Sequence, residues 1–129
     1  MSRNMFPYVL VMIGGAIGSA FRFHVSRVAL ATGGPGLPIG TWVVNLVGGL
    51  LMGILAGMLA RDGVEDEPLR LFVGVGMLGG FTTFSAFSLE VFNMLARNEY
   101  LLALAYAVSS VAGSVLAVFA GVMLTRMAA

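Results

Sequence analysis

Ten consecutive residues concentrate the unusual chemistry of this 129-residue chain: Gly79-Gly80-Phe81-Thr82-Thr83-Phe84-Ser85-Ala86-Phe87-Ser88. Phenylalanines fall at 81, 84 and 87, and hydroxyls follow one residue later at 82, 85 and 88. On a helix, a spacing of three keeps each set on a slowly drifting stripe. The pattern therefore predicts an aromatic stripe beside a hydroxyl stripe. The same segment makes a poor continuous helix, because two glycines and two β-branched threonines weaken it. A break there would free backbone carbonyls and amides. In a membrane such groups are tolerated only against protein or in a cavity holding water or ions, and broken helices recur at ion sites. Taken alone, the pattern still fits a kinked helix with packed phenylalanines better than an ion site.

The elements that must carry this segment follow from composition. Apolar residues make up 59% of the chain and charged residues 10%, against about 25% charged in a soluble domain. A chain this small has too much surface to hide so much apolar area from water. A soluble domain, a nucleic-acid binder and a disordered chain are excluded. With no cysteine there is no disulfide framework, thiolate metal site or cysteine nucleophile. A bilayer core about 30 Å thick needs roughly 20 helical residues to cross it. Four weakly charged stretches reach that length: residues 5–31, 39–60, 70–95 and 100–126. The expected fold is an all-α membrane protein, one domain over residues 1–129, multi-pass in the inner (plasma) membrane. The first stretch reads as a span rather than a cleaved leader, for it lacks a basic flank and a small-residue cleavage site.

Charge gives a weak orientation signal. With four spans, Arg3, Arg61, Arg70 and Arg126 share one side. Arg27 and Arg97 lie on the other, and Arg22 sits inside the first span near that end. A normal topology shows a clear excess on one side. Ordinary insertion with a poor signal and insertion in both orientations both remain open. Gly14-x-x-x-Gly18 and Gly49-x-x-x-Gly53-x-x-x-Gly57 permit close helix approach, more readily explained by packing within one subunit than by dimerisation.

Polar residues inside spans are costly and few. Arg22 reads either as an interfacial side chain reaching outward or as an anion-attracting charge at a pore mouth. Asn45 reads equally as interhelical glue or as an amide donor at an ion entrance. Glu90 reads as a helix-end anchor or an arginine partner. Ser109, Ser110 and Ser114 are weak signals, because serine often bonds its own helix backbone.

Three pieces together resemble one family. Gly14-Gly-Ala-Ile-Gly-Ser-Ala-Phe-Arg-Phe23, Gly40-Thr-Trp-Val-Val-Asn-Leu-Val-Gly48 and Gly79-Gly-Phe-Thr-Thr-Phe-Ser-Ala-Phe-Ser88 resemble the first-, second- and third-helix signatures of the small fluoride channels, the Fluc/CrcB family. Order and spacing agree over essentially the whole chain. The resemblance implies an antiparallel, dual-topology homodimer whose third helix is broken at the midplane. It implies passive, selective fluoride conduction that lowers cytoplasmic fluoride. It assigns the ion pathway to Phe84, Phe87, Asn45 and Ser85, with Ser110 by approximate alignment and Tyr106 as a further candidate. It also implies a structural sodium ion (Na⁺) held at the dimer centre by the carbonyls of Gly79 and Thr82. Ala86 departs from the family pattern, which usually has threonine there, so one hydroxyl of the polar track is missing.

Elementary chemistry is compatible with that role. Fluoride is small and strongly hydrated, so a pore must replace its water. A phenyl ring has a positive edge, and amide and hydroxyl groups donate hydrogen bonds. Neutral donors bind without trapping, as conduction requires. A small multidrug or guanidinium exporter is the main rival, but it needs a membrane-embedded carboxylate in the first helix, and none is present. An enzyme is not expected, since no acid/base pair or activated nucleophile can be assembled at one depth.

Overall fold

A computed structural model describes residues 4–62 and 66–128. Arg3 of the charge count and residues 63–65 of the charged loop lie outside the described residues. Helix α1 runs Phe6–Gly33, with Pro7 in its first turn, where the missing N–H costs nothing. Helix α2 runs Ile39–Asp62. The third span begins with α3, residues 67–81. It joins a short turn, Glu67–Leu69, a π-helical stretch, Arg70–Leu78, and a last turn, Gly79–Phe81. Asp66 caps its start by accepting from the Leu69 amide. Helix α4 runs Ser85–Ala96 and α5 runs Tyr100–Met127. Among the described residues, four segments are long and apolar enough to cross a membrane: Phe6–Gly33, Ile39–Arg61, Glu67–Ala96 and Tyr100–Met127.

The turns are chemically determined. Gly34 (φ 74) ends α1 in a conformation that L side chains rarely adopt. Asn98 takes the left-handed φ of 61 after α4. The Glu99 amide reaches back to the Met94 carbonyl and the Asn98 amide to that of Leu95. These two bonds satisfy carbonyls that the helix end would otherwise orphan.

Little of the surface is buried inside one chain. Only Val44, Leu55, Leu78, Met94, Ala103 and Tyr106 form buried apolar positions among the described residues. The helices meet instead through glycine. A Cβ on Gly14 or Gly18 would strike the Phe72 or Met77 carbonyl, binding α1 to α3. On α2, Gly49 packs on Ser114, Gly53 on Val118 and Gly57 on Thr125, all on α5. Both glycine series thus pack within one subunit.

Candidate ion site

Helical geometry is interrupted from Thr82 to Phe84. Thr82 is extended (φ −87, ψ 160), and Phe84 returns to helical angles before α4 begins at Ser85. Backbone groups of this stretch find unusual partners. Asn45 on α2 clamps Thr83 with both ends of its amide. The Thr83 amide donates to Asn45 Oδ1 at 2.8 Å, and Asn45 Nδ2 donates to the Thr83 carbonyl at 3.0 Å. Arg22 on α1 donates from Nε to the Gly80 carbonyl at 3.0 Å. The Gly79 and Thr82 carbonyls accept no hydrogen bond among the described residues: the Thr83 amide goes to Asn45, and the Ala86 amide to Thr83 Oγ1. Unpaired carbonyl oxygens are the donor set a hard cation uses, so Gly79 and Thr82 fit the sodium site that the resemblance implies.

One groove gathers most of the candidate residues. It has a volume of about 510 Å³, and its walls include Asn45, Gly79, Thr82, Phe84, Phe87 and Ser110. Phe84 projects with 77% of its surface exposed. Phe87 lies beside it at a ring separation of 5.6 Å and meets the Tyr106 ring edge-on at 5.3 Å. Ser110 is only 4% exposed, and its Oγ has no hydrogen-bond partner. A buried hydroxyl is rarely left unpaired. Ser109 is different, for it is exposed and its Oγ accepts from Trp42 Nε1 at 3.1 Å.

Three expected residues lie outside the groove. Arg22 holds Gly80 and faces α3. Ser85 is exposed, its Oγ 3.4 Å from Thr83 Oγ1. Tyr106 directs its hydroxyl to Glu90 Oε2 at 2.5 Å. The hydroxyl stripe is largely spent locally, since Thr82 Oγ1 donates to the Leu78 carbonyl and Ser88 Oγ to the Phe84 carbonyl, both at 2.9 Å. The three phenylalanines fail to form one helical stripe, because the chain is not helical between 81 and 85.

A second polar cluster was not recognisable in the sequence. Glu90 anchors neither a helix end nor an arginine. Its Oε1 accepts from Thr41 Oγ1 at 2.7 Å and its Oε2 from Tyr106. Glu90 and Thr41 also line a recess of about 320 Å³ that reaches Asn93 and Arg97. The three residues come from α2, α4 and α5, so only the tertiary fold brings them together. The one available signal was a carboxylate falling inside a span, a costly placement that marks function by default.

Four apolar spans, three of which line a groove with unpaired donors and acceptors, define a small multi-pass membrane protein built to handle an ion. Residues 9–122 match the family model described as CrcB-like protein, Camphor Resistance (CrcB), and the chain belongs to this family. It is 51% identical over 124 residues to the fluoride-specific ion channel FluC of Sphingopyxis alaskensis, covering 96% of each chain. It is 52% identical over 118 residues to the protein of that name from Novosphingobium aromaticivorans, covering 90% of this chain and 93% of the relative. A third such relative, from Phenylobacterium zucineum, is 53% identical over 119 residues, covering 92% and 94%.

Proposed function

We propose that the chain is a fluoride-selective channel of the plasma membrane, passing fluoride down its gradient and so lowering cytoplasmic fluoride. The observation that carries this reading is the groove. On a chain half identical to proteins named as fluoride channels, it combines two phenyl rings, the Asn45 amide and the unpaired hydroxyl of Ser110. These are neutral donors and positive ring edges, matched to a small anion that must shed its water. The exporter reading lacks the carboxylate it requires in the first helix.

The working unit is an antiparallel homodimer. Polar groups such as the Gly79 and Thr82 carbonyls cannot face lipid, and a second copy laid across the groove would cover them together with the protruding Phe84 ring. The near balance of arginines between the two sides favours insertion in both orientations. In that dimer the interruption of the third span lies at the midplane. The carbonyls of Gly79 and Thr82, two from each copy, would hold a sodium ion. When bound, the ion supplies positive charge that neutralises those oxygens and ties the copies together. The chain's own residues do the rest: Asn45 fixes Thr83, Arg22 occupies the Gly80 carbonyl, and Phe84, Phe87, Asn45 and Ser110 line the anion's route, with Ser85 and Tyr106 beside it.

The test is efflux from proteoliposomes under a potassium gradient with valinomycin. Fluoride efflux well above that of empty liposomes, with little chloride efflux, is expected. Equal fluxes of the two anions would remove the reading. A single cysteine introduced at Ser2 is expected to label from both faces of intact cells, and one-sided labelling would refute the antiparallel dimer.

A further inference from the structure

The interruption of the third span leaves a carbonyl end on α3 and an amide end on α4. The last carbonyls of a helix have no intrahelical donor, and inside a membrane they still need one. Those of α3 are met one by one. The Leu78 carbonyl takes both the amide and the hydroxyl of Thr82. The Gly80 carbonyl takes Arg22 Nε at 3.0 Å. Among the described residues, those of Gly79 and Thr82 are left over. About 16 Å of helix separates Arg22 from the end of α1 at Gly33, so this cation lies well inside the span. No carboxylate pairs with it among the described residues: the one ion pair joins Arg97 to Glu99, and Glu90 is taken by Thr41 and Tyr106. An arginine at such depth is costly, and backbone carbonyls are its usual alternative partner. Its neighbours on α1 grip the same point of α3. The Gly15 carbonyl and Ser19 Oγ lie 2.6 and 3.1 Å from where a Gly80 Cβ would stand. Gly15, Ser19 and Arg22 share one helix face by their spacing.

We propose that Arg22 is a positioning residue for the cation site: from α1 it caps the end of α3, withdraws the Gly80 carbonyl from the donor set, and leaves Gly79 and Thr82 as the oxygens offered to the ion. This rests on the shared sodium site of the proposed dimer and names a residue that builds it within each copy. A cage of backbone oxygens is shaped by whatever fixes its peptide planes, because each carbonyl is rigid within its own plane. Asn45 fixes one end of the stretch from α2. It accepts from the Thr83 amide, which shares a plane with the Thr82 carbonyl. Arg22 fixes the other end from α1, at the peptide next to that of the Gly79 carbonyl. Gly80 faces α1 tightly packed, whereas Gly79 is exposed, so the arginine takes the carbonyl on the closed side. The bond, rather than the charge, carries this role.

The place of the donor along the side chain gives the test. In glutamine the amide nitrogen stands as many bonds from Cα as Nε does in arginine. Arg22→Gln therefore keeps a donor in place and removes the charge. Arg22→Lys keeps the charge but puts a methylene at that point and its ammonium farther out. Arg22→Met fills the same length with no donor. Each purified dimer is titrated with sodium at constant ionic strength, with N-methylglucamine making up the balance. Readouts are the thermal midpoint and the rate of subunit exchange between differently labelled dimers, neither of which depends on fluoride flux. In Arg22→Met and Arg22→Lys the sodium concentration giving half of the stabilisation is expected to rise about tenfold, the typical weight of a hydrogen bond with one charged partner. Arg22→Gln is expected to stay within about threefold of wild type, as a neutral donor to the same carbonyl. If Arg22→Met yields no dimer, the other two variants decide. A wild-type sodium response in Arg22→Lys, or its loss in Arg22→Gln, would overturn the capping role while leaving the cation site in place. A wild-type dimer indifferent to sodium would overturn both.

Discussion

The seam between α2 and α5 and the interruption of the third span both depend on glycine, and for opposite reasons. Along the seam, Gly49, Gly53 and Gly57 are pressed onto α5. A Cβ on Gly49 would come within 2.8 Å of the Ser114 carbonyl, and one on Gly53 would overlap that of Val118. At the interruption, Gly79 is exposed, and a Cβ there would meet nothing nearer than the Gly74 carbonyl at 3.8 Å. The seam uses glycine to fill space inside one subunit. Its neighbour Gly80 is packed like the seam, since a Cβ there would come within 2.6 Å of the Gly15 carbonyl, so the room and the unpaired polar atoms lie on the Gly79 side. Glycine therefore marks packing along the seam and at Gly80, and an open surface at Gly79.

The sharpest way to break this comparison is Gly53→Ala. One methyl group is driven into backbone that cannot retreat alone, and overpacking of this kind costs about 3 kcal/mol. The expected outcome is little folded protein, read as a large drop in thermal midpoint in detergent. Near-wild-type stability would mean that the seam is loose.

Next in size is Phe84→Ile or Phe87→Ile. Isoleucine keeps apolar bulk but has no ring edge, so fluoride efflux is expected to fall at least about tenfold while the dimer still forms on gel filtration. Full flux in both would reduce the rings to packing. The two variants should also differ from each other. Phe84 is 77% exposed and Phe87 packs on Tyr106, so only Phe87→Ile should lower the stability of the subunit.

The smallest effect sharpens the comparison most. Gly79→Ala has room inside its own chain, so the isolated subunit should fold normally. On the proposed dimer with a shared cation, a loss of a few-fold in flux, or in any stabilisation by added sodium, is expected to arise across the dimer. Wild-type flux with an unchanged response to sodium would count against Gly79 as part of a shared cation site.

The helices were legible because a bilayer imposes a single strong rule on composition. The uncharged stretch 39–60 lies within the helix Ile39–Asp62, and the uncharged stretch 100–125 within Tyr100–Met127. Asn45 announced itself as a polar residue needing a partner across helices, and that partner is the Thr83 backbone. The choice between Ser109 and Ser110 was beyond the sequence. The two are adjacent, and only the neighbours decide that one hydroxyl meets Trp42 while the other meets nothing. The hydroxyl stripe was overread, because Thr82 and Ser88 turn back onto carbonyls four residues earlier, a habit of helical serine and threonine. Glu90 was underread, because its partners stand 49 and 16 residues away.

The π-helical stretch Arg70–Leu78 gives the third span slack. The Gly79 amide still reaches five residues back, to the Gly74 carbonyl, so this part of the backbone carries a residue more than an α-helix would need. A single deletion within 70–78 can be absorbed by tightening to α geometry. Within Ser85–Ala96 there is no such reserve, and removing one residue would swing all that follows by about 100°. Tolerance to changes in chain length is thus lopsided about the interruption, generous on the side of the carbonyls and strict on the side of the amides.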